Sequence, residues 1–236
     1  HLAESAPRDA SVIGLLERGL AAASPPEAYG WIGSFAPDTG LLVVRRDAGF
    51  HEAGELRTRE LIVGATAPHD ESARLARGLR ESLGLKLKIV GGYRGIGALH
   101  QAIERGEVSG YVAGHAGEVE AALIAWLRAG DAFALLQIGP RALLWLADAP
   151  LALSLARDAR EAEALAKLLA PQRLGLPLAT PPGVPAERLA ALRAGFAAMA
   201  RDETFKREAM GAGVAPDVVE GAAFDDLIRE LSGARN

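Results

Sequence analysis

The sequence predicts an α/β fold in two lobes, with mixed sheets flanked by helices, and three observations carry that reading. From Lys86 to Gly114 a short apolar run ends in a glycine-rich turn, a helix-like segment follows, and a second apolar run begins at Tyr111. Strands joined by a helix in this way lie parallel, with the helix across them. The same alternation extends outward to Leu61 on one side and Ile138 on the other. Breaks rich in Pro and Gly bound it at both ends, as expected for a lobe inserted between crossovers.

The elements follow in order. Ser11 to Leu16 is compatible with strand or helix and stops at Ala23-Ser24-Pro25-Pro26. Trp31 opens a run that turns at Pro37 into Leu41 to Val44, apolar throughout and therefore a buried strand. Arg45 to Gly54 reads as a crossover. Leu61 to Val63 is a strand closed by Gly64, and Asp70 caps a helix whose inner side is Leu75, Leu79 and Leu83. Leu87, Ile89 and Val90 form the next strand, followed by a helix presenting Leu99, Ala102 and Ile103. Phe133 to Ile138 is a strand and Ala162 to Ala170 a helix. Pro185 precedes a helix from Ala186 to about Ala200 that buries Leu189, Leu192, Phe196 and Met199. Two further helices start at Asp202 and Phe224. The expected lobes are residues 1–45 with 175–236, and 46–174.

Composition narrows the chemistry. The 236 residues suffice for one large core or two small ones, and half of them are apolar. No apolar run approaches the ~20 residues of a membrane span. The first residues, His1 to Asp9, have neither a basic start nor an apolar core, so no signal peptide is expected in this chain. A net charge of −4 offers no long-range attraction for nucleic acid. With no cysteine, thiolate nucleophiles and cysteine metal sites are excluded.

The turn from Gly91 to Gly97 is the leading candidate for binding. Glycines let backbone approach a ligand, and the following helix directs N–H groups at it, a combination suited to an anion. A dinucleotide fingerprint requires the opposite spacing from Gly92, Gly95 and Gly97, and no phosphate loop ending in Gly-Lys-Ser/Thr occurs. A tight turn that merely needs small residues is the competing explanation.

Four pieces in a fixed order carry a family resemblance. They are Ile89-Val90-Gly91-Gly92-Tyr93-Arg94-Gly95, Ile103-Glu104-Arg105-Gly106-Glu107-Val108-Ser109-Gly110, Leu146-Ala147-Asp148-Ala149-Pro150, and Pro181 to Leu189 with Asp202-Glu203-Thr204-Phe205 after it. Together they resemble the substrate-binding receptors of tripartite tricarboxylate transporters, over nearly the whole chain. The resemblance implies a two-lobed, Venus-flytrap-like binding protein of the periplasmic type II kind. It also implies a periplasmic location, a small carboxylate bound between the lobes, and delivery to the transporter's membrane subunits. No cofactor, no nucleic-acid partner and a monomer are expected. Against the family pattern the chain starts at a segment resembling Ala6-Pro7-Arg8-Asp9-Ala10, so the family's N-terminal strand and first ligand loop are expected to be missing. The other carboxylate loop usually reads Gly-Ser/Thr-x-Gly-x-Gly-Ser. Here Gly64, Thr66 and Ser72 match it loosely, while Pro68, His69, Asp70 and Glu71 depart from it.

The residues expected to bind ligand are Thr66, Ala67, Ser72, Tyr93, Arg94, Gly95 and His115. Thr66 and Ser72 can donate hydroxyl hydrogen bonds beside a helix start, although ordinary capping around Asp70 accounts for them equally well. Arg94 can pair with a carboxylate or simply be solvated. His115 follows a strand end. His100 and Glu104 stand four apart, yet no third ligand has matching spacing, and they read as a solvated helix face. No Gly-x-Ser-x-Gly elbow and no His-Glu-x-x-His helix occurs, so no enzyme is expected. Two alternatives remain open: a nucleotide-dependent enzyme using Gly92 to Gly97, and a degenerate receptor acting as a sensor or partner protein.

Overall fold

The computed structural model describes residues 2, 5–16, 18–35, 39–68, 70–114, 121–211 and 218–233. In chain order the elements are β1 (Gly14–Leu15), α1 (Arg18–Ala23), β2 (Gly30–Phe35), β3 (Gly40–Arg45), β4 (Leu61–Ala65), α2 (Glu71–Leu83), β5 (Leu87–Gly91) and α3 (Ile96–Glu104). Then come β6 (Gly110–Ala113), α4 (Ala121–Ala129), β7 (Ala132–Ile138), α5 (Ala159–Leu169), β8 (Leu176–Thr180), α6 (Ala186–Arg201), α7 (Glu203–Gly211), β9 (Val218–Glu220) and α8 (Gly221–Gly233). The chain divides into two compact units, residues 1–38 with 170–236, and residues 39–169.

In the unit made of both chain ends, the sheet order is β1-β8-β2-β9, with every described pairing antiparallel. Trp31 anchors its core, 2% exposed, with the Phe224 ring edge-on at 5.8 Å. Helix α8 contributes Phe224, Ile228 and Leu231, spaced so that one face meets the sheet. Helix α6 lies over β2, where Arg193 Nε donates to Trp31 O (2.8 Å) and Arg193 Nη2 grips Asp225 at 2.8 and 2.9 Å. Of the four α6 residues expected inside, Phe196 is buried, whereas Leu189, Leu192 and Met199 are half-buried.

Residues 39–169 form a mixed sheet in the order β5-β4-β6-β3-β7. Strands β5, β4 and β6 are parallel, and β3 runs antiparallel to β6 and β7. Both faces are covered, which is why β3 is apolar at every core position. Leu42 and Val44 join α2 and α5 on one face, while Leu41 and Val43 join α3 on the other. Helix α2 forms as its pattern predicts: Leu75, Leu79 and Leu83 are fully buried, and Gly84 ends it in the left-handed region at φ 65°.

The unit boundaries differ from the sequence expectation. The sequence places Leu41 to Val44 in lobe one, with crossovers near Arg45 and near Pro171 to Leu176. Strand β3 instead lies in the same sheet as Leu87 to Val90, paired with Ala113 through Leu41 and with Phe133 through Val44. The crossovers therefore fall at 38–39 and 169–170. A strand buried on both faces needs hydrogen-bonding neighbours on both sides, and β6 and β7 supply them from far along the chain.

Candidate functional site

Parallel pairing brings the candidate loops together on one edge of the 39–169 sheet. Ala65, the last residue of β4, is paired with Gly91, the last of β5, so the loops that follow leave side by side. Strand β6 ends at the same edge, since Tyr111 pairs with Gly64. The chain passes from β4 outward to β5, then crosses back over β4 to reach β6. Connections therefore diverge between β4 and β6, the kind of crevice in which open α/β sheets hold ligands.

The loop after β4 is organised by Asp70. Thr66 Oγ1 donates to Asp70 Oδ2, which also accepts the Ala67 N–H at 2.9 Å, while Oδ1 accepts the Ala73 N–H at 2.7 Å. Asp70 is thus the N-cap of α2, as its position before the periodic run predicts. Ser72 Oγ donates to Val112 O and ties the start of α2 to β6. Both hydroxyl protons expected to meet a ligand are engaged inside the protein, that of Thr66 by the capping Asp70 and that of Ser72 by strand β6. Ala67 is exposed. Glu71 lies against Gly114, where an added Cβ would stand 2.9 Å from Glu71 Oε2, and its side chain is 13% exposed. Arg74 Nη2 donates to Glu71 Oε1 at 3.3 Å.

The loop after β5 is built differently. Gly92 (φ 103°) and Gly95 (φ 85°) adopt backbone conformations that side chains disfavour. An added Cβ at Gly92, Gly95 or Gly97 would meet nothing within 4 Å, so their edge is open. Conformation, rather than crowding, demands glycine at 92 and 95. Gly95 caps α3 with no side chain, leaving the helix start to backbone N–H groups. Arg94 is exposed. Tyr93 is half-buried and folds back over Gly64, whose added Cβ would lie 3.3 Å from Tyr93 Cε2. Tyr93 therefore packs on the face covered by α3, and Ser72 lies with α2 on the other. The sheet edge unites Thr66, Ala67, Ser72, Tyr93, Arg94 and Gly95 by backbone, not by converging side chains. His115 lies outside the described residues.

His100 is not on a solvated face. It is 5% exposed, with ring centroids 5.6 Å from Tyr111 and 5.7 Å from Trp126, while Glu104 on the same helix is exposed. Trp126 of α4 covers the flank of α3 that periodicity alone leaves outward. Among the described residues no cluster of His, Asp and Glu has the arrangement of a metal site. A groove of about 710 Å³ runs along the start of β7, at the opposite end of the sheet, between Phe50, Phe133 and Trp145. Its charged lining, Arg46, Glu52 and Asp148, is of both signs and singles out no ligand.

No protein-family model matches the chain, and no curated protein matches it. Solved structures do. The TctC solute binding protein from Polaromonas is similar over 97% of this chain and 77% of its own, with a TM-score of 0.67 at 15% identity. The periplasmic binding protein BugD gives the same coverage, TM-score and identity. MatC from Rhodopseudomonas palustris, solved with bound malate, is similar over 97% of this chain and 79% of its own, with a TM-score of 0.63 at 18% identity. The chain accordingly shares the fold of these solute-binding proteins, in agreement with the α/β class read from the sequence.

Proposed function

We propose that the chain is a non-catalytic, extracytoplasmic receptor that binds a small organic carboxylate and passes it to membrane permease subunits. The observation that carries this reading is the in-register ending of β4 and β5, which presents an open glycine turn and the start of α3 beside the Thr66–Asp70 loop. Helix starts favour anions because their first N–H groups have no intrahelical acceptor. The backbone of Gly92 to Gly97, with Arg94 beside it, is the proposed carboxylate seat. The fold shared with solute-binding proteins, one of them malate-bound, supports the receptor class over an enzyme. A periplasmic location and transporter subunits as partners belong to the same reading.

Calorimetry with a panel of small mono- and dicarboxylates, alongside nucleotides, tests it. The receptor reading expects saturable binding of one or more acids and none of nucleotides. Nucleotide binding without acid binding would favour the enzyme alternative, and binding of neither would leave the degenerate receptor.

A further inference from the structure

We propose that the outer edge of β5 is a docking site for an extended, acidic segment of a partner protein, which joins the sheet there as a further strand. Strand β5 ends the sheet order, with β4 on one side and no described strand on the other. Leu61 N–H donates to Lys86 O at 2.9 Å, so the main-chain groups of Lys86, Lys88 and Val90 turn toward β4. Those of Leu87, Ile89 and Gly91 turn outward. Leu85 O takes the Leu87 N–H at 3.0 Å. Ile89 is half-buried and Gly91 exposed, and their N–H and C=O groups form an open ladder. Another polypeptide in extended form matches such a row, whereas a nucleic acid or a small acid does not.

Charge and shape define the segment. A groove of about 560 Å³ lies along this edge, between β5 and the end of α2. Arg80, Lys86 and Lys88 line it against one acid, Glu60, in a chain whose net charge is −4. Arg80 stands 3.7 Å from Glu81, and Lys86 Nζ donates to Thr58 O at 3.1 Å. Lys88 is exposed, and among the described residues it has no ion pair. Successive side chains alternate between faces, Lys86 and Lys88 on one, Leu87 and Ile89 on the other against the core shared with α2. The fitting segment therefore alternates too, with carboxylates beside the lysines and apolar side chains beside Ile89. Affinity comes from the main-chain ladder and choice of partner from charge. Peptide binding here stands or falls independently of carboxylate binding.

Fluorescence anisotropy with labelled hexapeptides tests it. The peptides are alternating Glu-Val, alternating Lys-Val, and the Glu-Val peptide N-methylated throughout. The proteins are the wild type, Lys88→Glu, which reverses one exposed charge, and Ile89→Pro, which deletes an outward N–H and spares the ladder to β4. Wild type is expected to bind the Glu-Val peptide saturably, and about tenfold or more tighter than the Lys-Val or the N-methylated peptide. Lys88→Glu should lose most of the charge preference, and Ile89→Pro most of the binding. No saturable binding of Glu-Val by the wild type overturns the proposal and leaves the lysines as guards that keep stray strands off an edge. Equal binding of Glu-Val and Lys-Val, or a preference unchanged in Lys88→Glu, also overturns it. Glu-Val binding that survives N-methylation is charge attraction without strand pairing and overturns it too; that comparison uses the wild type and holds even where Ile89→Pro fails to fold.

Discussion

Leu99 of α3 occupies the space a side chain on Gly64 would need: a Cβ added there would lie 2.1 Å from Leu99 Cδ1. Val108 Cγ2 and Tyr93 Cε2 close the same space at 3.2 and 3.3 Å. One glycine in β4 thus sets how closely α3, and with it the glycine turn that feeds α3, approaches the sheet. Leu99 is 1% exposed and lies within the core cluster of this face, so it must repack to make room. Gly64→Ala is therefore expected to cost about 1–3 kcal/mol in urea unfolding. An unchanged denaturation midpoint would show that α3 is packed more loosely than this contact requires.

In the unit formed by the chain ends, Phe196 is the pin of α6. Its ring lies edge-on to Phe35 at 5.5 Å and so close to β2 that a Cβ on Gly33 would stand 2.6 Å from Phe196 Cε1. Phe196→Ala is expected to cost about 3–5 kcal/mol. Leu189→Ala and Leu192→Ala, at half-buried positions, are expected to cost roughly 1–2 kcal/mol each. Chemical denaturation of the three variants checks the ranking, and equal losses would contradict it.

Two carboxylates make the stability of the 39–169 unit depend on acid. Glu161 accepts from the side chain of Arg157 (2.6 Å), from its backbone N–H (2.9 Å) and from Arg57 (2.9 Å), which together hold its pKa at about 2 against an ordinary 4.5. Glu55 is likewise lowered to about 2, first by the backbone N–H groups of His51 and Glu52 and then by Arg59. A pKa lower in the folded than in the unfolded protein means stability that is complete above the unfolded value and lost as pH falls toward the folded one. Urea midpoints should therefore drop between pH 4.5 and about pH 2, and Glu161→Gln with Glu55→Gln should flatten that drop. A variant whose pH profile parallels the wild type would contradict the assignment.

At the ligand edge, Gly95 is the position where backbone conformation and function meet. Its φ of 85° with ψ of 173° suits only glycine, although space beside it is open. Gly95→Ala is expected to reshape the start of α3 and weaken carboxylate binding about tenfold or more, at a stability loss of about 1–3 kcal/mol. Unchanged affinity in calorimetry would move the carboxylate seat away from this turn.

What could be read in the sequence was what neighbouring residues decide among themselves. Asp70 as a cap, Leu75, Leu79 and Leu83 as an inner face, and the parallel unit from β5 through α3 to β6 follow from local periodicity and turn chemistry. The joining of β3 to β6 and β7 depends on pairing across long stretches of chain, and no local pattern reports a partner. The same reason hid the burial of His100 beneath Trp126, the engagement of Ser72 by Val112, and the packing of Glu71 on Gly114. Gly64, by contrast, stood in the sequence as a loose match to a ligand loop, and its tight contact with Leu99 gives it a packing role.

The most direct test of the account is an amide NMR titration of the protein with the carboxylate that calorimetry finds to bind. The largest shift changes are expected at Gly91 to Gly97, with a second group from Ala65 to Ser72. Changes concentrated instead along the groove between Phe50, Phe133 and Trp145, with the glycine turn unmoved, would contradict the proposed site.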